Sequence, residues 1–150
     1  MNSLLLIGGV LVVLNVQALL QFVTAADNNE SVIESCSNAV QGAANDELKV
    51  HYRANEFPDD PVTHCFVRCI GLELNLYDDK YGVDLQANWE NLGNSDDADE
   101  EFVAKHRACL EAKNLETIED LCERAYSAFQ CLREDYEMYQ NNNNATSECI

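Results

Sequence analysis

Cysteine and histidine are the residue types in this chain that could carry metal or redox chemistry. Cys65 and Cys69 lie four residues apart in the stretch THCFVRCIG, with His64 directly before the first cysteine. Two thiolates and an imidazole could bind zinc if a fourth ligand were present, and two cysteines could instead form a redox pair or two separate disulfides. The choice between these chemistries depends on the compartment in which the protein folds.

The N-terminal segment predicts export. Residues 4–23 are mostly apolar and uncharged, and the run ends in VTAA, whose small residues suit a signal-peptidase site. About 20 apolar residues could also form a membrane anchor, but three amides interrupt the run and neither flank carries Lys or Arg. We therefore expect residues 1–25 to be a cleaved signal peptide and the protein to be secreted and extracellular.

All seven cysteines follow this segment, and no CxxC motif is present. A secreted chain this rich in cysteine is typically cross-linked by disulfides, so we expect disulfides, no metal and no cofactor, with His64 on the surface or in packing. The cysteines are Cys36, Cys65, Cys69, Cys109, Cys122, Cys131 and Cys149.

The charge balance excludes one large class of partners. The chain carries 27 acidic and 9 basic residues, a formal net charge of −18. Nucleic acids and anionic membranes repel such a protein. We therefore expect no nucleic-acid partner.

Hydrophobic periodicity predicts an all-α fold of about six short helices, because no alternating strand pattern of useful length follows the leader. Residues 26–140 are expected to form one domain, and residues 141–150 a mobile polar tail. A start signal for the third helix is Asp59 or Asp60 as N-cap with Pro61 in the first turn. The expected helices are 29–43, 46–54, 61–76, 85–92, 97–113 and 117–139.

The helical spacing limits which cysteines can pair. Cys65 and Cys69 share one face and project side by side, so each is expected to reach a different segment. Cys122 and Cys131, nine residues apart in the last helix, would lie on opposite faces and about 13 Å apart along the axis, whereas a disulfide needs Cα atoms within about 7 Å. The pairing otherwise stays open at this point.

The cysteine pattern C-x28-C-x3-C-x39-C-x12-C-x8-C, from Cys36 to Cys131, resembles the six-cysteine signature of insect odorant-binding proteins, the pheromone-binding and general odorant-binding family. The stretches EFPDD, YGVD and LCERAYSAFQC are also similar to sequences of that family. The resemblance covers about residues 30–135, most of the chain after the leader.

The resemblance implies three disulfides, which are Cys36–Cys69, Cys65–Cys122 and Cys109–Cys131. These pairs agree with the spacing limits. Cys149 departs from the family pattern as a seventh cysteine, and it is a candidate for a free thiol or for a bridge that makes a dimer.

The resemblance implies a carrier that binds small hydrophobic molecules, such as odorants, pheromones or lipids, in an internal apolar pocket, with a membrane receptor as a further partner. Cross-links could offset the packing energy that a cavity loses. Each candidate lining residue could equally be plain core; Tyr126 and Trp89 add a hydrogen-bonding group. The candidate ligand-binding residues are Phe66, Ile70, Leu74, Leu76, Trp89, Phe102, Val103, Leu110, Tyr126 and Phe129.

The sequence also bears on functions other than a carrier and on modifications. No GxSxG motif and no paired His and Asp on a helix are present, so no enzyme and no catalytic residues are expected. An extracellular interaction protein that binds a protein or peptide on the same scaffold is the alternative. His51, His64 and His106 leave pH-dependent ligand release open. Asn29 and Asn144 begin candidate glycosylation sequons.

Overall fold

The computed structural model describes residues 30–40 and 46–147, with side chains through residue 142. The expected signal peptide, Asn29, the Asn144 side chain and Cys149 lie outside that description. Within it, seven α-helices and one short 3-10 turn form the chain, so the all-α prediction is confirmed. They are α1 (residues 30–39), α2 (Asp46–Arg53), α3 (Pro61–Glu73), α4 (Leu85–Asn91), α5 (Glu100–Ala112), the 3-10 turn (Leu115–Thr117), α6 (Leu121–Phe129) and α7 (Arg133–Ser147).

Aspartate caps set where four of the helices begin. In each case the carboxylate accepts hydrogen bonds from backbone N–H groups of the first turn, which have no partner inside the helix. Helix α3 also has the expected proline at its start. The caps of α3, α4, α5 and α6 are Asp60, Asp84, Asp99 and Asp120.

Two of these caps shorten helices relative to the sequence prediction. Helix α5 begins at Glu100 instead of residue 97, because Asp99 is its cap. The last helix, predicted to begin at residue 117, begins only after Asp120, and the Thr117 hydroxyl instead donates to the carbonyl of Asn114 at the 3-10 turn.

The predicted last helix is two helices, α6 and α7. Around residues 130–132 the backbone N–H groups of Cys131 and Leu132 donate three residues back, to Ala128 and Phe129. The carbonyl of Cys131 accepts from the Nδ1 atom of buried His106, 2.8 Å away. A long-range hydrogen bond from His106 therefore lies at the point where the predicted continuous helix is interrupted. Helix α7 then runs to Ser147, so residues 141–147, predicted as tail, are helical.

A short β-hairpin joins α3 to α4. Its strands, β1 (Tyr77–Asp78) and β2 (Gly82–Val83), pair antiparallel, with Tyr77 opposite Val83. The carboxylate of Asp78 accepts from the backbone N–H groups of Lys80 and Tyr81, which closes the turn. Gly82 has φ +82°, a conformation that side chains disfavour.

Three disulfides cross-link the helices, in the pairing that the resemblance implies. Cys36–Cys69 joins α1 to α3, Cys65–Cys122 joins α3 to α6, and Cys109–Cys131 joins α5 to the α6–α7 junction. The Cα atoms of the pairs lie 5.6, 4.5 and 5.8 Å apart, inside the usual range. None of the described helices combines the length and apolar character needed to cross a membrane.

Two buried clusters form the core. The first centres on Tyr52 and Phe66, whose rings are nearly parallel with centroids 3.7 Å apart, and includes Cys36. The second centres on Tyr77 and Ala128, between the hairpin and α6. Both clusters contact α3, which is therefore the central helix of the fold.

An ion pair ties the hairpin to α3 and predicts a pH effect. Arg68 donates from Nε to Oδ1 of Asp79 at 2.9 Å and from Nη2 to Oδ2. The hydrogen bond from Arg68 holds the pKa of Asp79 below its ordinary value. The stability that this pair adds is therefore complete above about pH 4, the unfolded pKa, and is lost as the pH falls through the lower folded pKa.

We expect Asp79→Asn to lower the free energy of unfolding by about 1 kcal/mol at pH 7. The difference from wild type should shrink as the pH falls below about 4. Urea unfolding between pH 2 and 7 measures it, with the exposed Asp97→Asn as the control. A difference that stays constant across this pH range would contradict the assignment.

Candidate functional site

The helices surround a cavity of about 320 Å³, within the usual size range of small-molecule pockets. Aliphatic and aromatic side chains form most of the wall, and α3 provides the largest share. The α3 helix and its end contribute Phe66, Val67, Ile70, Gly71 and Leu74. The remaining apolar wall comprises Val32, Ile33, Phe57, Leu76, Val83, Ala125, Phe129 and Leu132.

The sequence of α3 explains how this wall is held open. Phe66, Ile70 and Leu74 recur every four residues, so they lie on one face of the helix. Cys65 and Cys69 each precede a cavity residue by one position, about 100° around the axis. The disulfide of Cys65 runs to α6 and that of Cys69 runs to α1. The cross-links therefore hold α3 in place directly beside the face that lines the cavity.

The structure brings half of the predicted ligand-binding residues to the cavity. Trp89, Phe102, Val103, Leu110 and Tyr126 are not among the lining residues. Those that do line it are Phe66, Ile70, Leu74, Leu76 and Phe129.

The predicted residues that do not line the cavity lie elsewhere for two physical reasons. Helix α5, which carries three of them, packs outside the cavity: the ring of Phe102 contacts Trp89 of α4, with centroids 5.0 Å apart, and Leu110 packs against the second core cluster. The side chain of Tyr126 turns away to donate to the carbonyl of Phe57, 3.0 Å away, while its ring stacks on His64.

A chain of polar side chains crosses the wall between α4 and α7. The hydroxyl of Tyr136 donates to Oδ1 of Asn88 at 2.9 Å and accepts from Nδ2 of Asn91 at 3.1 Å. All three side chains line the cavity. Burial raises the pKa of Tyr136 to about 12, so the phenol keeps its proton at physiological pH.

Sequence reasoning missed the lining residues from α7 and from the segment after α2. Leu132, Tyr136, Tyr139 and Gln140 have helical spacing, and this periodicity was the signal that could have found them. Asn55 and Phe57 also line the cavity. They lie between helices, where no periodic pattern indicates which side chains turn inward.

Comparison with known protein families identifies relatives of this chain. The model of the PBP/GOBP family matches residues 15–135, most of the chain, including the six bridged cysteines. The chain belongs to the PBP/GOBP family. It is 33% identical over 91 residues to General odorant-binding protein 99b of Drosophila melanogaster, and 33% identical over 87 residues to General odorant-binding protein 99a of the same organism. These alignments cover 59% and 57% of this chain and 60% of each relative.

The three histidines of this PBP/GOBP chain lie outside the cavity lining. His51 and His64 contact Glu56 and Asp59, at 2.5 and 2.7 Å, on either side of Phe57. They therefore hold the segment that carries Phe57 into the wall.

The third histidine, His106, is fully buried, and its Nε2 lies 2.8 Å from Asp135, an ion-pair distance without hydrogen-bond alignment. Asp135 also accepts from Lys105. This contact joins α5 to α7 on the outer side of the PBP/GOBP fold. Within the residues that the structure describes, no cluster of three or more His, Cys, Asp or Glu could hold a metal ion.

Proposed function

We propose that this protein is a secreted carrier that binds small hydrophobic molecules in the cavity and transports them through extracellular fluid. Odorants, pheromones and lipid-like molecules are the ligand classes, and a membrane receptor is the expected recipient. Membership of the PBP/GOBP family supports a small-ligand carrier role in general. The apolar leader at residues 4–23 supports secretion.

The observation that carries the proposal is the apolar cavity of about 320 Å³ between cross-linked helices. An empty cavity costs packing energy, because its wall atoms lack partners on one side. Bridges that connect α3 to α1 and α6 constrain the unfolded chain and offset this cost. A preformed apolar pocket then binds apolar ligands with little reorganisation.

The polar groups of the wall favour binding over catalysis. They are amides and phenols, and burial raises the pKa of Tyr52, Tyr77 and Tyr136 above the ordinary tyrosine value. Such groups stay neutral at physiological pH and orient a ligand by hydrogen bonds.

Displacement of a fluorescent apolar probe tests the carrier function. N-phenyl-1-naphthylamine is bound to the purified protein, and fatty alcohols, esters and terpenoids are titrated against it. Saturable displacement at low micromolar concentration supports the carrier. Failure of a broad panel to displace the probe, or failure of the probe to bind, would favour the extracellular interaction protein instead.

Filling the cavity should weaken this binding. Ile70 lies in the middle of the α3 wall, and we expect Ile70→Trp to weaken probe binding by about tenfold or more, a loss of about 1.4 kcal/mol, because the indole occupies the ligand's space. The matched control is Val50→Trp, on a surface position that is 65% exposed. Folding of both variants is checked by circular dichroism; wild-type affinity in folded Ile70→Trp would place the probe elsewhere.

A further inference from the structure

Asn88 sets the direction of the hydrogen bonds on the polar wall. The side chain is 3% exposed, and its Nδ2 donates to the carbonyl of Leu76 at 2.9 Å and to that of Asp84 at 2.7 Å. An amide nitrogen has two protons, and both are used. The orientation of the amide is therefore fixed, and Oδ1 faces Tyr136 as an acceptor.

The Tyr136 hydroxyl has consequently no proton for a ligand. Its single proton goes to Oδ1 of Asn88, which can only accept. Turning that proton elsewhere would leave a buried oxygen without a partner, which is unfavourable. A hydrogen bond between this hydroxyl and a ligand would therefore have to use the oxygen as the acceptor, and Asn91 already donates to the same oxygen from the exposed rim.

The hydroxyl of Tyr52, also a residue of the cavity wall, is likewise restricted to accepting from a ligand. Thr63 donates its proton to Oδ2 of Asp60 at 2.5 Å. The contact of 2.9 Å between Tyr52 and Thr63 must then use the proton of Tyr52. The Tyr52 hydroxyl, whose proton is used in this way, can therefore only accept from a further partner. Tyr52 is 1% exposed.

The other polar side chains of the wall differ in how far water reaches them. Asn55, Asn91 and Tyr139 are exposed at the rim, where water competes for each hydrogen bond. Tyr77 is buried and also lines the cavity, and its hydroxyl has no hydrogen-bond partner among the described residues, so no neighbour fixes whether it donates or accepts. Tyr136 and Tyr52 are the tyrosines of the wall whose hydroxyl polarity is fixed by their neighbours.

We propose that the cavity selects ligands that donate a hydrogen bond, aliphatic or terpenoid alcohols, over acceptor-only molecules of the same size, and that Tyr136 is the specificity-determining residue. This inference rests on the proposed carrier function.

Two isomeric ligands isolate the hydrogen bond. 1-Decanol and 1-methoxynonane have the same atoms, but only the alcohol donates. Each displaces N-phenyl-1-naphthylamine from wild type and from Tyr136→Phe, and the ratio of the ether's dissociation constant to the alcohol's is compared. We expect the ratio to fall about fivefold in Tyr136→Phe, the value of one net hydrogen bond. The free energy of removing each ligand from water does not depend on the protein. It therefore cancels when the ratio for wild type is compared with the ratio for Tyr136→Phe.

Two further variants sharpen the test. Asn91→Ala removes the competing donor to Tyr136, so the wild-type ratio should be kept or rise. Tyr81→Phe, on the exposed tip of the hairpin, is the matched control and should leave the ratio unchanged.

The outcomes separate the two proposals. A ratio that is the same in wild type and Tyr136→Phe overturns the alcohol selectivity and leaves the carrier function standing. A preference of wild type for decanal over 1-decanol also overturns it, and points to the buried hydroxyl of Tyr77, which has no hydrogen-bond partner among the described residues, as a donor. If none of these ligands displaces the probe, the carrier function itself fails, and the selectivity fails with it.

Discussion

Replacing Cys65 and Cys122 together by alanine should lower the free energy of unfolding by about 4 kcal/mol. This bridge spans 57 residues, the longest separation of the three, and a longer loop removes more conformational entropy from the unfolded chain. It also joins α3 to α6, which both contribute side chains to the cavity wall. Probe binding should therefore weaken in the same variant.

The measurement is urea unfolding of the oxidised proteins, followed by circular dichroism and analysed by linear extrapolation. The matched comparison is the double alanine variant of Cys109 and Cys131, whose bridge spans 22 residues and should cost about 3 kcal/mol in the same loop model. A larger loss for the short bridge than for the long one would show that packing at the bridge outweighs loop entropy.

Phe66→Ala should cost about 3–5 kcal/mol of stability, the usual range for a buried Phe-to-Ala change. Its side chain is fully buried and stacks on Tyr52 with ring centroids 3.7 Å apart. It belongs to the first core cluster and also lines the cavity. Truncation therefore removes apolar contacts on both sides and enlarges a cavity that already exists, so the surroundings have little to collapse onto.

The same urea unfolding measures this loss, and Phe66→Leu, which keeps most of the volume, should lose less. Val50→Ala on the exposed face of α2 is the surface control and should change stability by less than about 0.5 kcal/mol. A cost for Phe66→Ala near that of the control would mean that the ring is not part of the close-packed core.

The bridges and most of the helix starts could be predicted from the sequence. Cysteine spacing is tied to helical geometry, and it excluded a Cys65–Cys69 bridge before any family was considered. An aspartate before an apolar run marks a helix start through local hydrogen bonds, as Asp60 and Pro61 do for α3. These signals act over a few residues, and so they are visible in the linear chain.

The break between α6 and α7 could not be predicted in this way. The contact that ends the helix comes from His106, 25 residues before Cys131. A local pattern continues through that point, since Leu132 and Tyr136 keep the helical spacing of α6. A long-range hydrogen bond to a backbone carbonyl leaves no trace in periodicity.

The cavity shows the same limit for side chains. The predicted stripe of Phe66, Ile70 and Leu74 does line the cavity, because one face of α3 from Phe66 onward is turned to it. The periodicity predicts Phe102 at the cavity because it lies on an apolar stripe, but its ring packs against Trp89 of α4. Periodicity indicates that a side chain is buried, and it does not indicate which neighbour buries it.

The order of the bridged cysteines has a consequence for how the chain matures. The three loops interlock: Cys65 lies inside the loop closed by Cys36 and Cys69, and Cys109 lies inside the loop that ends at Cys122. Cys36 and Cys65 both precede Cys69 and Cys122 in the chain, so the first pair that could oxidise during synthesis is a non-native one. A chain oxidised in that order would reach the native pairing by thiol–disulfide exchange after Cys122 has emerged, and its yield should then depend on a reshuffling catalyst and on the redox buffer.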